Sequence, residues 1–337
     1  MDISYAARGI ARRARSLFAA PATLEDRNIR LIFIDTAWNG VVTAGVGTFL
    51  SVYMAREGAS SLLISMLTSL PALLSVIISL PASAWVERQH DHVRTTTWAR
   101  IWFRGIYFVP AILPFFMQGE PMLMMIVVAW CIQAIPMAFT VPAWTSVMGA
   151  TIPPQRRPAV NGGRWALVSV ITAISVAIFG KLLDMPWLSH PLNYQLVFFL
   201  SGVAAFLSIS IFAQVKMPVD YATESPARLS LRQQTANLIA PMIQTPAFIK
   251  YLGATFFVRL GIAMPAALYS IFWVRNLGAS DTVIGLRTTV GQAALVVGYF
   301  LFGRIATRRG HRNVLLVSSI GLALYPAVTA VTPNEFW

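Results

Sequence analysis

The sequence places one arginine, Arg259, deep within an apolar stretch that covers residues 247–274. It stands about twelve residues into the stretch, or about 18 Å along a helix that rises ~1.5 Å per residue. A charge at the centre of a bilayer costs at least about 2.5–3.5 kcal/mol, so such a side chain usually faces a cavity or a partner. A guanidinium offers paired donors that suit a carboxylate or a phosphate. Arg259 therefore predicts either a site for an anionic solute or a tie between helices, through backbone carbonyls or Asp35.

A second pair of polar residues, Asp35 and Asn39, lies in the apolar stretch of residues 29–54. Residues four apart share a face of a helix, so the two side chains are expected on one side. A carboxyl group withdrawn from water takes up a proton more readily, which would let Asp35 carry a coupling proton. The alternatives are a permanent ion pair and an acid at the membrane interface. Asn39 is a candidate contact for the solute.

Aromatic and basic residues extend the set of candidates. Trp38 and Trp144 are candidate cavity residues, with packing as the alternative for each. Arg104 and Arg287 stand nearer the ends of their stretches, where a long side chain can reach water. Residues 90–92 read His-Asp-His but have no third spaced ligand nearby, so we expect a solvated loop and no metal site.

No catalytic or nucleotide-binding motif accompanies these residues. The sequence contains no G-x-x-x-x-G-K-[ST] loop, no H-E-x-x-H and no G-x-S-x-G. Its single cysteine, Cys131, excludes an internal disulfide and a cysteine zinc cluster. We therefore expect neither an enzyme nor a protein that depends on a cofactor.

Composition indicates which elements position the candidates. Apolar residues make up 56% of the chain and charged residues 12%, with a mean hydropathy of +0.64, whereas soluble domains have about 45–50% and about 25%. A soluble enzyme would need a charged surface that these residues cannot supply. The sequence therefore predicts an all-α polytopic membrane protein with about nine spans of the ~20 residues that cross a bilayer core. They cover residues 29–54, 61–84, 97–117, 121–149, 159–183, 193–215, 247–274, 282–304 and 312–332.

The net charge of +13 is concentrated on one side of the predicted spans. Twenty of the 26 Lys and Arg fall in the N-terminal tail and alternate loops, and three fall on the opposite side. In this count Arg100 and Arg164 belong to the basic loops. The positive-inside rule then places the N-terminus in the cytoplasm. We expect a multi-pass protein of the cell membrane, whose basic composition needs no nucleic-acid partner.

An internal repeat relates two parts of the chain. A shift of 220 residues places residues 58–60 (Gly-Ala-Ser) on residues 278–280 (Gly-Ala-Ser). The same shift aligns the first span with the seventh and makes Asn39 the counterpart of Arg259. Six spans separate the copies, so both run in the same direction across the membrane. We predict a duplicated six-helix unit in which Asn39 and Arg259 face one shared cavity.

The predicted organisation has four parts. Residues 1–28 form a basic cytoplasmic tail, and residues 29–215 form an N-terminal bundle of six helices. Residues 216–246 form a cytoplasmic linker that contains proline and mixed charges. Residues 247–337 form part of a second bundle, with helices 7–9.

Two basic loops carry a recognisable motif. Residues 303–312 read GRIATRRGHR, and residues 83–92 read SAWVERQHDH. They resemble the loop signature G-x-x-x-D-x-x-G-R-R of the major facilitator superfamily of secondary transporters. Thr307 replaces the acid in the second copy, and the first copy keeps only an acid and a base, Glu87 and Arg88. Residues 142–157 also resemble that family's junction between helices 4 and 5.

The resemblance implies two six-helix bundles around a central cavity, with the two motif loops acting in gating. The gating residues carried over are Glu87, Arg88, Gly303, Arg304, Arg308 and Arg309. Twelve helices are expected in this family, so we interpret the sequence as a fragment that lacks helices 10–12, with a natural shorter product as the alternative. The complete protein is expected to act as a monomer.

These observations predict a secondary active transporter that moves a small solute through the lipid bilayer by alternating access, with proton coupling through Asp35 as one option. The candidate substrate-binding residues are Asn39, Arg259, Trp38 and Trp144. Arg259 favours an anionic solute, and an amphipathic, drug-like efflux substrate is the alternative. The rival class is a sensor or scaffold that has this fold without transporting. Uptake of a labelled solute into vesicles distinguishes the two classes.

The topology is tested by cysteine labelling in a Cys131→Ser background. Pro226→Cys is expected to resist an impermeant maleimide in intact cells and to react once the membrane is permeabilised. Trp187→Cys, in a loop predicted outside, should react without permeabilisation. Labelling of position 226 in intact cells would reverse the predicted orientation.

Overall fold

The computed structural model describes residues 23–218 and 244–332. Among these residues there is no strand, and the chain forms nine long helical segments. They are α1 (Leu24–Arg56), α2 (Ser61–Val86), α3 (His92–Gly105, continued by short helical turns to Phe115), α4 (Gly119–Thr151), α5 (Arg157–Leu183), α6 (Leu192–Phe212), α7 (Pro246–Asn276), α8 (Asp281–Arg309) and α9 (His311–Ala330). All except α3 and α8 are long and apolar enough, by length and composition, to cross a membrane.

The predicted all-α membrane fold is confirmed, and each predicted span coincides with one of these helices. The predicted basic tail and linker fall largely on residues 1–22 and 219–243, which lie outside the described residues, as do residues 333–337.

Short turns join the helices on two faces of the molecule. The basic face carries the turns at residues 87–91, 152–156 and 213–218, and the opposite face carries those at 57–60, 116–118, 184–191 and 277–280. Helix starts on both faces have a side-chain cap, because the first amides of a helix have no partner within it. Ser60 Oγ accepts from the amide of Leu63 at 3.2 Å, and Asp91 Oδ1 accepts from the amide of Arg94 at 2.9 Å.

Helices α1–α6 pack as one bundle in which α1 contacts α5 and α6, and α4 contacts α2 and α3. Its apolar core has two main parts. One lies toward the opposite face around Tyr53, Tyr194 and Phe198, and the other lies toward the basic face around Ile32 and Phe212. Helix α9 packs against α7 and α8.

The predicted repeat has a matching local structure in its two copies. Gly58 and Gly278 both have a positive φ, of 85° and 63°, which only glycine adopts without strain. Two residues later, Ser60 and Ser280 each cap the next helix, through the amides of Leu63 (3.2 Å) and Val283 (3.3 Å). The turn that leads into α2 is therefore reused at the start of α8.

The α1–α6 bundle packs closely against the later helices, α7–α9, where α5 crosses α8. A Cβ on Gly180 would lie 2.6 Å from the carbonyl oxygen of Asp281, and one on Gly285 would lie 2.8 Å from that of Val176. Only glycine permits backbones to approach this closely. One turn beyond Gly285, Thr289 Oγ1 donates to the carbonyl of Ala173 at 2.8 Å.

This crossing is tested by disulfide trapping between Ala173→Cys and Thr289→Cys in a Cys131→Ser background. Adding Gly285→Ala is expected to lower the crosslinked yield several-fold, because its Cβ would push α8 away from α5. Gly291→Ala is the matched control on the same helix, since its Cβ meets no atom within 4 Å. Equal yields in the two variants would show that the helices do not pack through this crossing.

Candidate functional site

The polar residues of α1 lie at the centre of a buried cluster formed with α3 and α6. Asp35 Oδ1 accepts a hydrogen bond from Arg100 Nη1 at 3.0 Å and another from Ser208 Oγ. The side chains of Asp35 and Arg100 are only 4% and 7% exposed. A carboxylate in apolar surroundings needs such partners, because burial of an unpaired charge is expensive. Asp35 is therefore held in an ion pair within the bundle.

Arg104 binds one helical turn further along α3, and its partners are neutral. Its Nη2 donates to Asn39 Oδ1 at 3.0 Å, and its Nη1 donates to Ser208 Oγ at 2.6 Å and to the carbonyl of Ala205 at 3.2 Å. Arg100 and Arg104 are four residues apart on α3, and their acceptors Asp35 and Asn39 are four residues apart on α1. Each pair therefore lies on one face of its helix, and the two faces meet. We call Asp35, Asn39, Arg100, Arg104 and Ser208 the Asp35 cluster.

A third guanidinium lies beside the Asp35 cluster. Arg164, on α5, donates from Nε to Thr36 Oγ1 at 3.1 Å and from Nη1 to Asn161 Oδ1 at 3.2 Å. Its Cζ lies 4.4 Å from the centre of the Trp144 ring, a cation–π contact. Arg164 is half-buried, whereas Arg100 and Arg104 are buried. Three positive charges therefore surround one carboxylate.

Two expectations about these arginines are wrong. Arg100 and Arg164, counted with the basic loops, lie inside α3 and α5. Arg104 does not reach toward water at the end of its span, because its side chain is buried and bound to Asn39. A count of residues from the loops cannot reveal polar partners on a neighbouring helix, and those partners keep the guanidinium groups inside.

The contact between Arg259 and Asp35, one of the two alternatives for Arg259, is also wrong. Arg259 is exposed on α7 and makes no hydrogen bond or ion pair with any residue that the structure describes. Helix α7 packs against α9, α2 and the end of α1, whereas Asp35 lies on the face of α1 that meets α3 and α6. The structure does not join Asn39 to Arg259 either, because the amide oxygen of Asn39 accepts from Arg104.

The other candidates fall in different environments. Trp38 is exposed on α1 beside Asn39, and the ring of Trp144 lies under Arg164. Arg287 is half-buried, and its guanidinium lies 3.7 Å from the centre of the Trp273 ring on α7.

The expected gating residues are only partly described. Glu87 and Arg88 are exposed in the turn after α2, and neither forms an ion pair among the described residues. Gly303, Arg304, Arg308 and Arg309 belong to α8, but their side chains lie outside the described part of the chain.

Sequence reasoning missed an ion-pair cluster on the opposite face. This cluster joins the α1–α6 bundle to the start of α8. Arg56, at the end of α1, donates from Nη2 to Asp281 Oδ1 at 2.8 Å, and Tyr194 Oη donates to the same oxygen at 2.6 Å. Asp184, after α5, accepts from the amides of Asp281 at 3.2 Å and Thr282 at 2.7 Å. Residues from α1, α5 and α6 thus bind the first turn of α8. We call this set, Arg56, Asp184, Tyr194 and Asp281, the outer clasp.

The two copies of the repeat also contact each other reciprocally beside the outer clasp. Arg56 Nη2 donates to the carbonyl of Ala279 at 2.9 Å, and Arg275 Nη2 donates to the carbonyls of Ala55, at 3.1 Å, and Ala59. Ala59 and Ala279 are equivalent under the shift of 220 residues. An arginine precedes each Gly-Ala-Ser turn, which is the sequence signal that could have identified this contact.

The Asp35 cluster is tested by unfolding variants of the purified chain in detergent. Asp35→Asn is expected to destabilise by about 3–5 kcal/mol, because it leaves buried guanidinium groups without an anion. Adding Arg100→Met should restore most of the loss, and adding Arg259→Gln should restore none. The control Asp26→Asn removes an exposed pair with Arg156 and should cost no more than about 1 kcal/mol. Rescue by Arg259→Gln would contradict the observed pairing.

Solved structures with the same fold include a bacterial homologue of the human lysosomal transporter Spinster in two inward-facing conformations. The unoccupied form matches with a TM-score of 0.62 and 16% identity, over 87% of this chain and 64% of that chain. The occupied form matches with a TM-score of 0.59 and 18% identity, over 84% and 62%. This chain therefore spans less than two thirds of the length of either structure. No curated protein matches it.

Family models match along the described helices and beyond them. The model of the Major Facilitator Superfamily matches residues 32–249, and the model of the MFS_1 like family matches residues 163–337. The first match alone covers more than half of the sequence and includes the Asp35 cluster. The chain belongs to the Major Facilitator Superfamily.

Proposed function

We propose that the protein is a secondary active transporter that carries a small solute by alternating access, with the basic face in the cytoplasm of a cell membrane. The observation that carries the proposal is the outer clasp, which joins α8 to the α1–α6 bundle on the opposite face through charges and caps. Alternating access requires contacts of this kind, because they must form in one state and break in the other.

The chemistry of the outer clasp suits a reversible gate. The Arg56 side chain is 27% exposed and that of Asp281 is 6% exposed, so water can reach one partner when the pair separates. Hydrogen bonds to charged groups contribute about 1.5–3 kcal/mol each, which is enough to bias two states without locking either. The glycine crossing of α5 and α8 adds backbone contact without interlocking side chains.

The outer clasp and the α5–α8 crossing lie toward the opposite face, which supports a state that is closed on that face. The hydrogen bonds from α8 to α5 start at Asp281 and reach Thr289, which lies about 12 Å along the helix at ~1.5 Å per residue. On the basic half of α5, Asn161, Gly162 and Trp165 are exposed. If the basic face is cytoplasmic, this conformation is open to the cytoplasm.

The Asp35 cluster has a different role in this proposal. All its residues come from α1, α3 and α6, so it moves as part of one rigid bundle. The charge of Asp35 is matched by Arg100 in this conformation, which supports the permanent ion pair over the coupling proton. A coupling proton on Asp35 would first have to displace Arg100. Asn39, Trp38, Trp144 and Arg259 stay candidates for contact with the solute.

The gate is tested by measuring distances between spin labels in the purified chain. Labels at Ser189→Cys and Asn276→Cys report the opposite face, and labels at Gln155→Cys and Ala247→Cys report the basic face, all in a Cys131→Ser background. Asp281→Asn is expected to increase the first distance and decrease the second, because it weakens the outer clasp. The expected change in the population ratio is about tenfold or more, which corresponds to one hydrogen bond to a charged group.

The matched control is Glu57→Gln, which changes the carboxylate that lies 2.7 Å from His190 Nε2 on the same face but within one bundle. It should leave both distances unchanged. Distances that do not respond to Asp281→Asn, or that increase on both faces, would contradict alternating access and favour a sensor or scaffold with a fixed conformation.

A further inference from the structure

We propose that Arg164 is the core of a binding subsite for an anionic group, a phosphate or a carboxylate, that opens toward the basic face of the α1–α6 bundle. The inference rests on the proposed function in that the anionic group would belong to the solute. It assigns anion recognition to α5 of the first bundle and not to Arg259 on α7.

The first support is an imbalance of charge. Arg100, Arg104 and Arg164 are grouped around a single carboxylate, Asp35, and Arg100 already occupies that carboxylate. Two guanidinium groups therefore have only neutral acceptors among the described residues. Such a surplus at membrane depth is costly, and an anion that enters from the basic face would offset it.

The second support is a surplus of donors at the same place. Trp144 Nε1, on the ring beside Arg164, is buried and has no acceptor among the described residues. Arg164 Nη2 also has no hydrogen-bond partner in the described part of the chain, whereas its Nε and Nη1 are bound. Buried donors normally find acceptors, so what the region lacks is a group rich in acceptor oxygens.

The third support is that Arg164 is both held in place and accessible. Thr36 and Asn161 fix two of its nitrogens, and the Trp144 ring 4.4 Å away fixes the plane of the guanidinium. A planar fork that is already oriented binds carboxylate or phosphate at a lower entropic cost. Arg164 is half-buried, and its neighbour Trp165 is exposed, so a ligand can approach this side chain without opening the Asp35 cluster.

The subsite is tested by calorimetric titration of the purified chain in non-ionic detergent with four small probes. Phenyl phosphate and benzoate carry the anionic group, benzyl alcohol is neutral, and benzylamine is cationic. The two anions are expected to bind and the other two are not. Arg164→Gln should weaken binding of phenyl phosphate about tenfold or more, because it removes hydrogen bonds to a charged group. Arg164→Lys should recover only part of the loss, since an ammonium lacks the planar fork.

The matched control is Arg94→Gln, which removes one exposed arginine on the same face and should leave binding unchanged. Without a probe, Arg164→Gln is expected to unfold at the same temperature as Arg94→Gln. If Arg164→Gln fails to fold, Trp144→Leu takes its place, and it should weaken binding several-fold by releasing the guanidinium plane. The proposal is overturned if neither anion binds to the unchanged chain, or if binding survives both Arg164→Gln and Trp144→Leu.

The source of the anionic group is distinguished in lipid nanodiscs. Phenyl phosphate that binds equally in discs of phosphatidylcholine and of phosphatidylglycerol indicates a soluble anion, whereas competition by phosphatidylglycerol indicates a lipid headgroup. The binding measurement needs no movement of the bundles. Spin-label distances that do not change would therefore contradict the transport proposal but not the subsite. Absence of anion binding would contradict the subsite but not the transport proposal.

Discussion

The high cost of an unpaired charge in apolar surroundings determines the arrangement of the first bundle. Asp35 can lie inside α1 only because Arg100 reaches it from α3 and Ser208 reaches it from α6. Ser208 also accepts from Arg104, so one hydroxyl joins the ion pair to the neighbouring arginine. These contacts fix the rotation of three helices about their axes, which hydrophobic packing alone leaves adjustable. The candidate site on α5 depends on that rotation, because Thr36, next to Asp35, holds Arg164.

The ion pair within the α1–α6 bundle and the ion pair between the bundle and α8 differ in how far their side chains are buried. In the pair of Asp35 and Arg100 both side chains are buried, so separating them would leave charges with no access to water. In the pair of Arg56 and Asp281 only the aspartate is buried, so water reaches the arginine when the pair separates. In the proposed transport cycle, the buried pair stabilises one body, and the more accessible pair connects two bodies reversibly.

The sequence was sufficient for the number and class of the long helices, because a span of about 20 apolar residues has few alternatives. It also located the repeat, since a glycine with positive φ followed by a capping serine is a local feature that a short match can detect. It did not predict the partner of Asp35 or the exposed position of Arg259. Periodicity shows which residues share a face of one helix, but it does not show which helix lies opposite. Arg100 and Arg164 were misplaced because a positive charge near a loop satisfies the positive-inside rule whether its side chain points toward water or into the bundle.

The predicted repeat accounts for the reciprocal backbone contacts beside the outer clasp, whereas the clasp itself is asymmetric. Arg56 binds the carbonyl of Ala279 and Arg275 binds that of Ala59, so each copy of the Gly-Ala-Ser turn receives an arginine from the other. The acid is present in one copy only, because Asp281 at the start of α8 corresponds to Ser61 at the start of α2. Both turns make the carbonyl contacts, whereas the ion pair depends on the acid that only the second turn carries. With the acid at the first residue of α8, its carboxylate lies beside the amides that Asp184 caps, so three residues of the first bundle hold a single turn of the second. Separation of the two bundles at this face must therefore break these bonds together, which makes the first turn of α8 the point at which a charge change would act on the whole interface.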